Sequence, residues 1–228
     1  FLENENIQSL LCLNMILPDN NKPSFNLELF NEVFKDLCEE IGVNNCKLKV
    51  LKSMDFNSEK DNLLKSLGEG EKIFIFSSYK TIGAGQNLQY KIPKNSNTIQ
   101  IYNSGIKDDK RMYMKDIDAI YLGDITNIVS NIYDLDKFDL YEMMNLFFHS
   151  EYLYQNNEIS YSSLTRLIKQ GFKSYSNNRE IDTSADKSLR NSKSVRKNIT
   201  RDVMQAVGRI CRTFNKNPNI YIFMCENV

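Results

Sequence analysis

The sequence predicts an α/β fold with a mostly parallel sheet, and three observations carry that expectation. Over about the first 70 residues, short apolar runs alternate with helix-period segments in the order strand, helix, strand, helix, strand. The third of those strands runs into a polar loop with glycines at positions 83 and 85. Near the end, a short amphipathic helix leads into one more apolar strand. Strands joined in this way predict right-handed crossovers.

Residues 9–17, SLLCLNMIL, form an apolar run ended by Pro18 and read as a buried strand. The DNNKPS that follows is turn chemistry. Asn26 then caps a helix whose apolar positions are Leu27, Phe30, Val33, Phe34, Leu37 and Ile41, with Gly42 as its stop. Residues 47–51 alternate like a strand. Residues 58–67 repeat the helical pattern through Leu63, Leu64 and Leu67, ended by Gly68 and Gly70, and 72–78 are a strand again.

In an open α/β sheet ligands bind beyond the carboxyl ends of the strands, which is where the loop 78–89 falls. Gly83 and Gly85 allow close backbone approach, while Asn87 and Gln89 offer directional amide hydrogen bonds. The bland alternative is a glycine-rich turn that caps a helix. The missing third glycine argues against a dinucleotide fingerprint. Residues 91–115 are polar and irregular, apart from a short strand at 99–102, and 118–122 read as the next core strand.

About 80 residues then intervene before the arginine-rich helix, and they read as a helical insertion. One helix, 138–154, carries a stripe of Tyr141, Met144, Phe147 and Phe148. A second, 160–172, has a capping serine and a stripe of Leu164, Leu167, Ile168 and Phe172. His149, the only histidine, has no partner at ligand spacing and reads as a packed residue. Residues 174–200 are a polar stretch with basic positions Lys187, Arg190, Lys193, Arg196 and Lys197. Its two readings are a solvated loop or a contact to a phosphate backbone.

Residues 201–214, RDVMQAVGRICRTF, read as one amphipathic helix with Val203, Ala206, Val207, Ile210 and Phe214 on its buried side. Arg209 and Arg212 lie three apart, so both guanidiniums project from one face and can close on a single anion. Gly208 beside them leaves room for a close neighbour. Residues 219–224, NIYIFM, are the closing strand.

The 228 residues carry 29 basic and 29 acidic side chains, so any nucleic-acid surface must be a local patch. Five scattered cysteines without metal spacing point to reduced thiols and a cytoplasmic setting. No apolar run approaches the ~20 residues of a membrane span. The chain opens on Phe1 and reads as a segment of a longer protein.

The segment 201–214 resembles the sixth motif of superfamily 2 helicases, Q-x-x-G-R-x-x-R, through Gln205, Gly208, Arg209 and Arg212. Residues 72–90, KIFIFSSYKTIGAGQNLQY, resemble the fifth motif of the same family. The long insertion and the wording GAGQNLQ are similar to bacterial defence-type (Hachiman-type) and nuclease-associated helicases, which implies a nuclease as a further partner. The resemblance implies a RecA-like three-layer domain of the P-loop NTPase superfamily, the second of two, over 1–125 and 199–228. The insertion would occupy 126–198.

No G-x-x-x-x-G-K-[ST] and no magnesium-binding Asp-Glu pair occur here, so the resemblance places the sites for ATP and Mg²⁺ on a preceding RecA-like domain. It makes Arg209 and Arg212 arginine fingers and gives Gln205 the attacking water or the sensing of nucleotide state. Gly85, Asn87 and Gly208 would line the nucleotide cleft. Where the family often touches the DNA or RNA backbone with a threonine, this chain has Tyr79, with Ser77 and Ser78 as substitutes. Lys193, Arg196 and Lys197 would add phosphate contacts. Two other readings remain: a non-catalytic RecA-like module that binds nucleic acid or a partner, and a separate nucleotide-binding α/β domain, against which the missing phosphate loop argues.

Overall fold

A computed structural model of the chain describes residues 1–14, 16–21, 25–79, 81–82, 86–94, 96–101, 110–123, 139–177 and 192–224. The chain divides into two compact units, Phe1–Ile125 with Val203–Val228, and Thr126–Asp202. The described strands, all in the first unit, are β1 (Ser9–Leu13), β2 (Cys46–Leu51), β3 (Lys72–Ser77), β4 (Tyr90–Lys91), β5 (Ile99–Gln100), β6 (Met114–Lys115), β7 (Ala119–Leu122), β8 (Asn215–Lys216) and β9 (Tyr221–Met224).

Five of them form an all-parallel sheet in the order β2-β3-β1-β7-β9. All five residues of β1 are buried, as befits a central strand with both faces covered. At the edge, β2 alternates, with Lys47 and Lys49 exposed. The first strand is shorter than its apolar run. It stops at Leu13, where Gly123 N–H takes the Leu13 carbonyl at 2.8 Å and Asn14 N–H turns to Ser77 at 3.0 Å.

Helix α1 (Leu27–Ile41) starts and stops where expected. The Asn26 side chain accepts from Glu28 N–H and Leu29 N–H, and Gly42 closes the helix at φ 76°. Its Phe30 and Phe34 lie against Phe76 and Phe74 of the sheet, with ring centroids 5.4 and 5.8 Å apart. The rest of the expected stripe is only partly used: Val33, Leu37 and Ile41 stay 38–48% exposed.

The opposite face holds the main core, because Ile73, Ile75, Leu11, Leu13, Ile120 and Leu122 all point there. Leu63 and Leu67 of α2 (Phe56–Gly68) pack on this face. So do Ala206, from the carboxyl-terminal stretch of the last helix, Lys193–Arg209, and Ile210 just beyond it. Crossovers that run in opposite directions along the sheet thus lie on opposite faces, as a single crossover hand requires.

In the second unit α3 (Leu140–Gln155) and α4 (Tyr161–Asn177) pack on each other as a helical hairpin. Asp139 and Ser160 cap their amino ends through Glu142 N–H and Ser163 N–H. The aromatic stripe expected on α3 is corrected. Tyr141 and Phe148 are 71% and 66% exposed, and the buried face is Met143, Leu146, Ser150 and Leu153. Apolar residues surround α3, so period alone does not select the side that packs. His149 is partly buried, which lowers its imidazole pKa. The final helix, α5 (Lys193–Arg209), begins in this unit and ends in the first. No described helix is long and apolar enough to cross a membrane.

Candidate functional site

The arginine segment and the loop after β3 meet in the first unit through residues 123 and 125 positions apart in sequence. Arg209, the last residue of α5, is 8% exposed, and its Nη1 donates to the Gln86 carbonyl at 2.9 Å. Arg212 is exposed and donates from Nη1 to the Asn87 side-chain oxygen. Burial, and then the charge of Arg212, pushes the Arg209 guanidinium below its usual pKa, from a starting point high enough that it stays charged.

One expectation needs correcting. The segment 201–214 is not a single helix, because α5 stops at Arg209 and residues 210–214 form a bend. The reason is a competing set of bonds from one buried carboxylate. Asp116 Oδ2 accepts Arg212 N–H at 2.7 Å and Thr213 N–H at 2.7 Å. The Thr213 hydroxyl lies 2.8 Å from the same oxygen and 3.0 Å from the Asn215 carbonyl, so its one proton serves one of them at a time. Lys216 Nζ completes the set at 2.9 Å. Backbone groups bonded this way are no longer available to a further helical turn.

A second, mixed sheet, β4-β6-β8-β5, holds these pieces in register. Lys115 sits opposite both Tyr90 and Asn215, so the end of the loop after β3, the start of β7 and the bend after α5 share one small platform. The Asn215 amide donates to the Met112 and Met114 carbonyls at 2.7 and 3.1 Å. Beneath the platform, Lys115 Nζ lies 2.7 Å from Asp118 Oδ1, an ionic contact rather than an aligned hydrogen bond. Asp118 Oδ2 accepts the backbone N–H groups of Gln8 and Ser9 at 2.9 and 3.1 Å. Both partners of this pair are almost wholly buried, so removing either would strand a charge.

No protein-family model matches this chain, and no curated protein matches it.

The remaining candidate residues divide clearly. Gln205 and Gly208 are exposed on α5. Among the described residues a Cβ added at Gly208 would meet nothing within 4 Å, and its φ is not positive, so neither their packing nor backbone conformation requires glycine there. Gly85 lies outside the described residues. Ser77 is withdrawn as a strand-contacting residue, because it is wholly buried and donates its hydroxyl to the Leu51 carbonyl at 2.9 Å. Ser78 is partly exposed and its hydroxyl accepts Thr81 N–H at 3.0 Å. The Tyr79 hydroxyl donates to Gly123 at 3.2 Å. Lys193, Arg196 and Lys197 are exposed on the first turns of α5, where the sequence suggested loop. Their spacing of three and four puts them on one helix face in the second unit.

Sequence reasoning missed Asp116, Lys115, Asp118, Thr213 and Lys216. The available signal was the alternation of charge and apolar residue in Lys115-Asp-Ile-Asp118 immediately before an apolar strand. A polar cleft of about 900 Å³ also opens in the first unit, lined by Gln8, Gly70, Lys115, Asn217 and Tyr221, but neither arginine lines it.

Proposed function

We propose that this chain is the second, RecA-like half of an ATP-dependent superfamily 2 helicase or translocase, working on ATP and Mg²⁺ held by a preceding domain. The observation that supports this best is the clasp of Arg209 and Arg212 on residues 86–87, which joins the two segments that resemble the fifth and sixth motifs.

In this reading the two arginines divide the work. Arg209, buried on a backbone carbonyl, holds the loop to the end of α5. Arg212 is the finger. It is exposed, and its guanidinium pairs with a neutral amide rather than a carboxylate among the described residues. A bond from guanidinium to a phosphoryl oxygen is charge-assisted and about twice as strong as one to a neutral acceptor. Arg212 therefore gains by exchanging Asn87 for an anion presented from outside the chain. Stabilising charge on a phosphoryl group in the transition state is worth ~10³–10⁵ in rate for such arginines. Gln205, exposed one turn before Arg209, would orient water, and the space over Gly208, open among the described residues, would admit the incoming group.

The basic face of Lys193, Arg196 and Lys197 in the second unit suits a phosphate backbone, of DNA or RNA. Ser78 and Tyr79 would be separate strand contacts of the first unit. Closure on ATP and opening after hydrolysis would move the strand stepwise.

A second reading is favoured by the burial of Arg209: a non-catalytic module whose arginines only tie loop to helix. Nucleic-acid-stimulated ATP hydrolysis by the full-length protein separates the two. Arg212→Ala is expected to lower turnover by two decades or more while strand binding is kept. Unchanged turnover in the folded variant would leave the scaffold reading.

A further inference from the structure

Resting on the reading that Arg212 meets a phosphoryl group from outside the chain, we propose that Asp116 is the positioning residue that decides where Arg212 points. Arg212 stands beyond the end of α5, in a bend with no helical hydrogen bonds to hold it. Its own N–H, the N–H and hydroxyl of Thr213, and the ammonium of Lys216 all converge on Asp116 Oδ2, at 2.7, 2.7, 2.8 and 2.9 Å. The other oxygen, Oδ1, accepts from Gln89 Nε2 at 3.4 Å. Gln89 lies two residues beyond Asn87, the acceptor of the Arg212 guanidinium. One carboxylate thus spans both the backbone that carries the arginine and the loop that carries its resting partner.

The position is well suited to that task. Asp116 is 3% exposed and lies between β6 and β7, next to Lys115, which is tied to Asp118. A carboxylate attracts these donors, the Lys216 ammonium above all, far more than a neutral amide carbonyl would. Asparagine keeps the shape, but it turns an NH₂ group either toward Gln89 Nε2 or toward the four donors, and it leaves the Lys216 charge without its counterion. The bend then loosens and Arg212 samples directions away from the anion. That loss appears in kcat rather than in KM for ATP, because it removes an interaction made in the transition state.

The test is a double-mutant cycle in the nucleic-acid-stimulated ATP hydrolysis of the full-length protein, with Asp116→Asn, Arg212→Ala and the pair together. Asp116→Asn alone is expected to lower kcat by ~10-fold or more, with KM for ATP changed less than about threefold. Added to Arg212→Ala, it should cost less than about twofold more, because the residue it positions is gone. A loss that multiplies in full on top of Arg212→Ala would mark Asp116 as merely structural and overturn the proposal. So would normal kcat in Asp116→Asn beside a slow Arg212→Ala, which leaves the finger reading standing. Normal turnover in folded Arg212→Ala would remove the finger reading and this inference with it. If Asp116→Asn does not fold, Thr213→Val, which deletes one donor and keeps the shape, takes its place. A several-fold loss that vanishes in the Arg212→Ala background supports the proposal, and no loss or an independent loss overturns it.

Discussion

Gly208 gives the most direct test at the scale of single residues. Glycine in a helix is less favourable than alanine by up to about 1 kcal/mol, chiefly through backbone entropy. Its site is sterically open among the described residues, so Gly208→Ala should leave the fold unchanged and raise stability by a few tenths to about 1 kcal/mol in chemical denaturation. If the space is there for an incoming phosphate, the same variant should lose ATP turnover while gaining stability. A variant that is more stable and equally active would leave the glycine without a role at the site. The two arginines contrast in the same way. Arg209 is buried and its loss orphans the Gln86 carbonyl, whereas Arg212 is exposed, so only the first is expected to matter for stability.

Among the elements, the α3–α4 hairpin has a steric keystone in Gly171. A Cβ there would stand 2.8 Å from Phe147 Cε1 and 3.0 Å from Leu146 Cδ2. Overpacking of this kind costs about 1–3 kcal/mol, against a helix-propensity gain of no more than about 1 kcal/mol, so the steric term wins. Gly171→Ala should therefore destabilise the hairpin, visible as an earlier helical unfolding transition by circular dichroism. A transition at or above that of the parent would show that the Phe147 and Phe172 rings, 5.0 Å apart, move aside without cost. The sign is opposite to that at Gly208, although both glycines sit in helices, because one faces open space and the other a packed neighbour.

Across the first unit, the order of the sheet predicts where the backbone opens last. β1 is fully buried and paired on both sides, with β3 and β7 next to it, while β2 and β9 are edges and β9 is largely exposed. Amide hydrogen exchange should be slowest in β1 and β3 and fastest, among the five strands, in β9. Uniform protection across the sheet would contradict a stability concentrated at its centre.

Periodicity and caps determined the local elements: the alternation of strand and helix, the Asn26 and Ser160 caps, the Gly42 stop and the buried run of β1 were all legible, because they depend on neighbours in sequence. Both stretches that make the candidate site were also visible as motifs. What only the tertiary structure decided was how they join. Asp116 ends α5 at Arg209 and bends Arg212 out of the helix by offering its backbone a stronger acceptor, and that choice depends on a residue 96 positions away. Apart from β5, read within 99–102, the two-residue strands of the platform are likewise too short to leave a periodic signal, and Ser77 reads as a substitute nucleic-acid contact until the Leu51 carbonyl is brought beside it. Sequence specifies what a segment can form alone, and long-range hydrogen bonds to buried charge decide which of those forms survives.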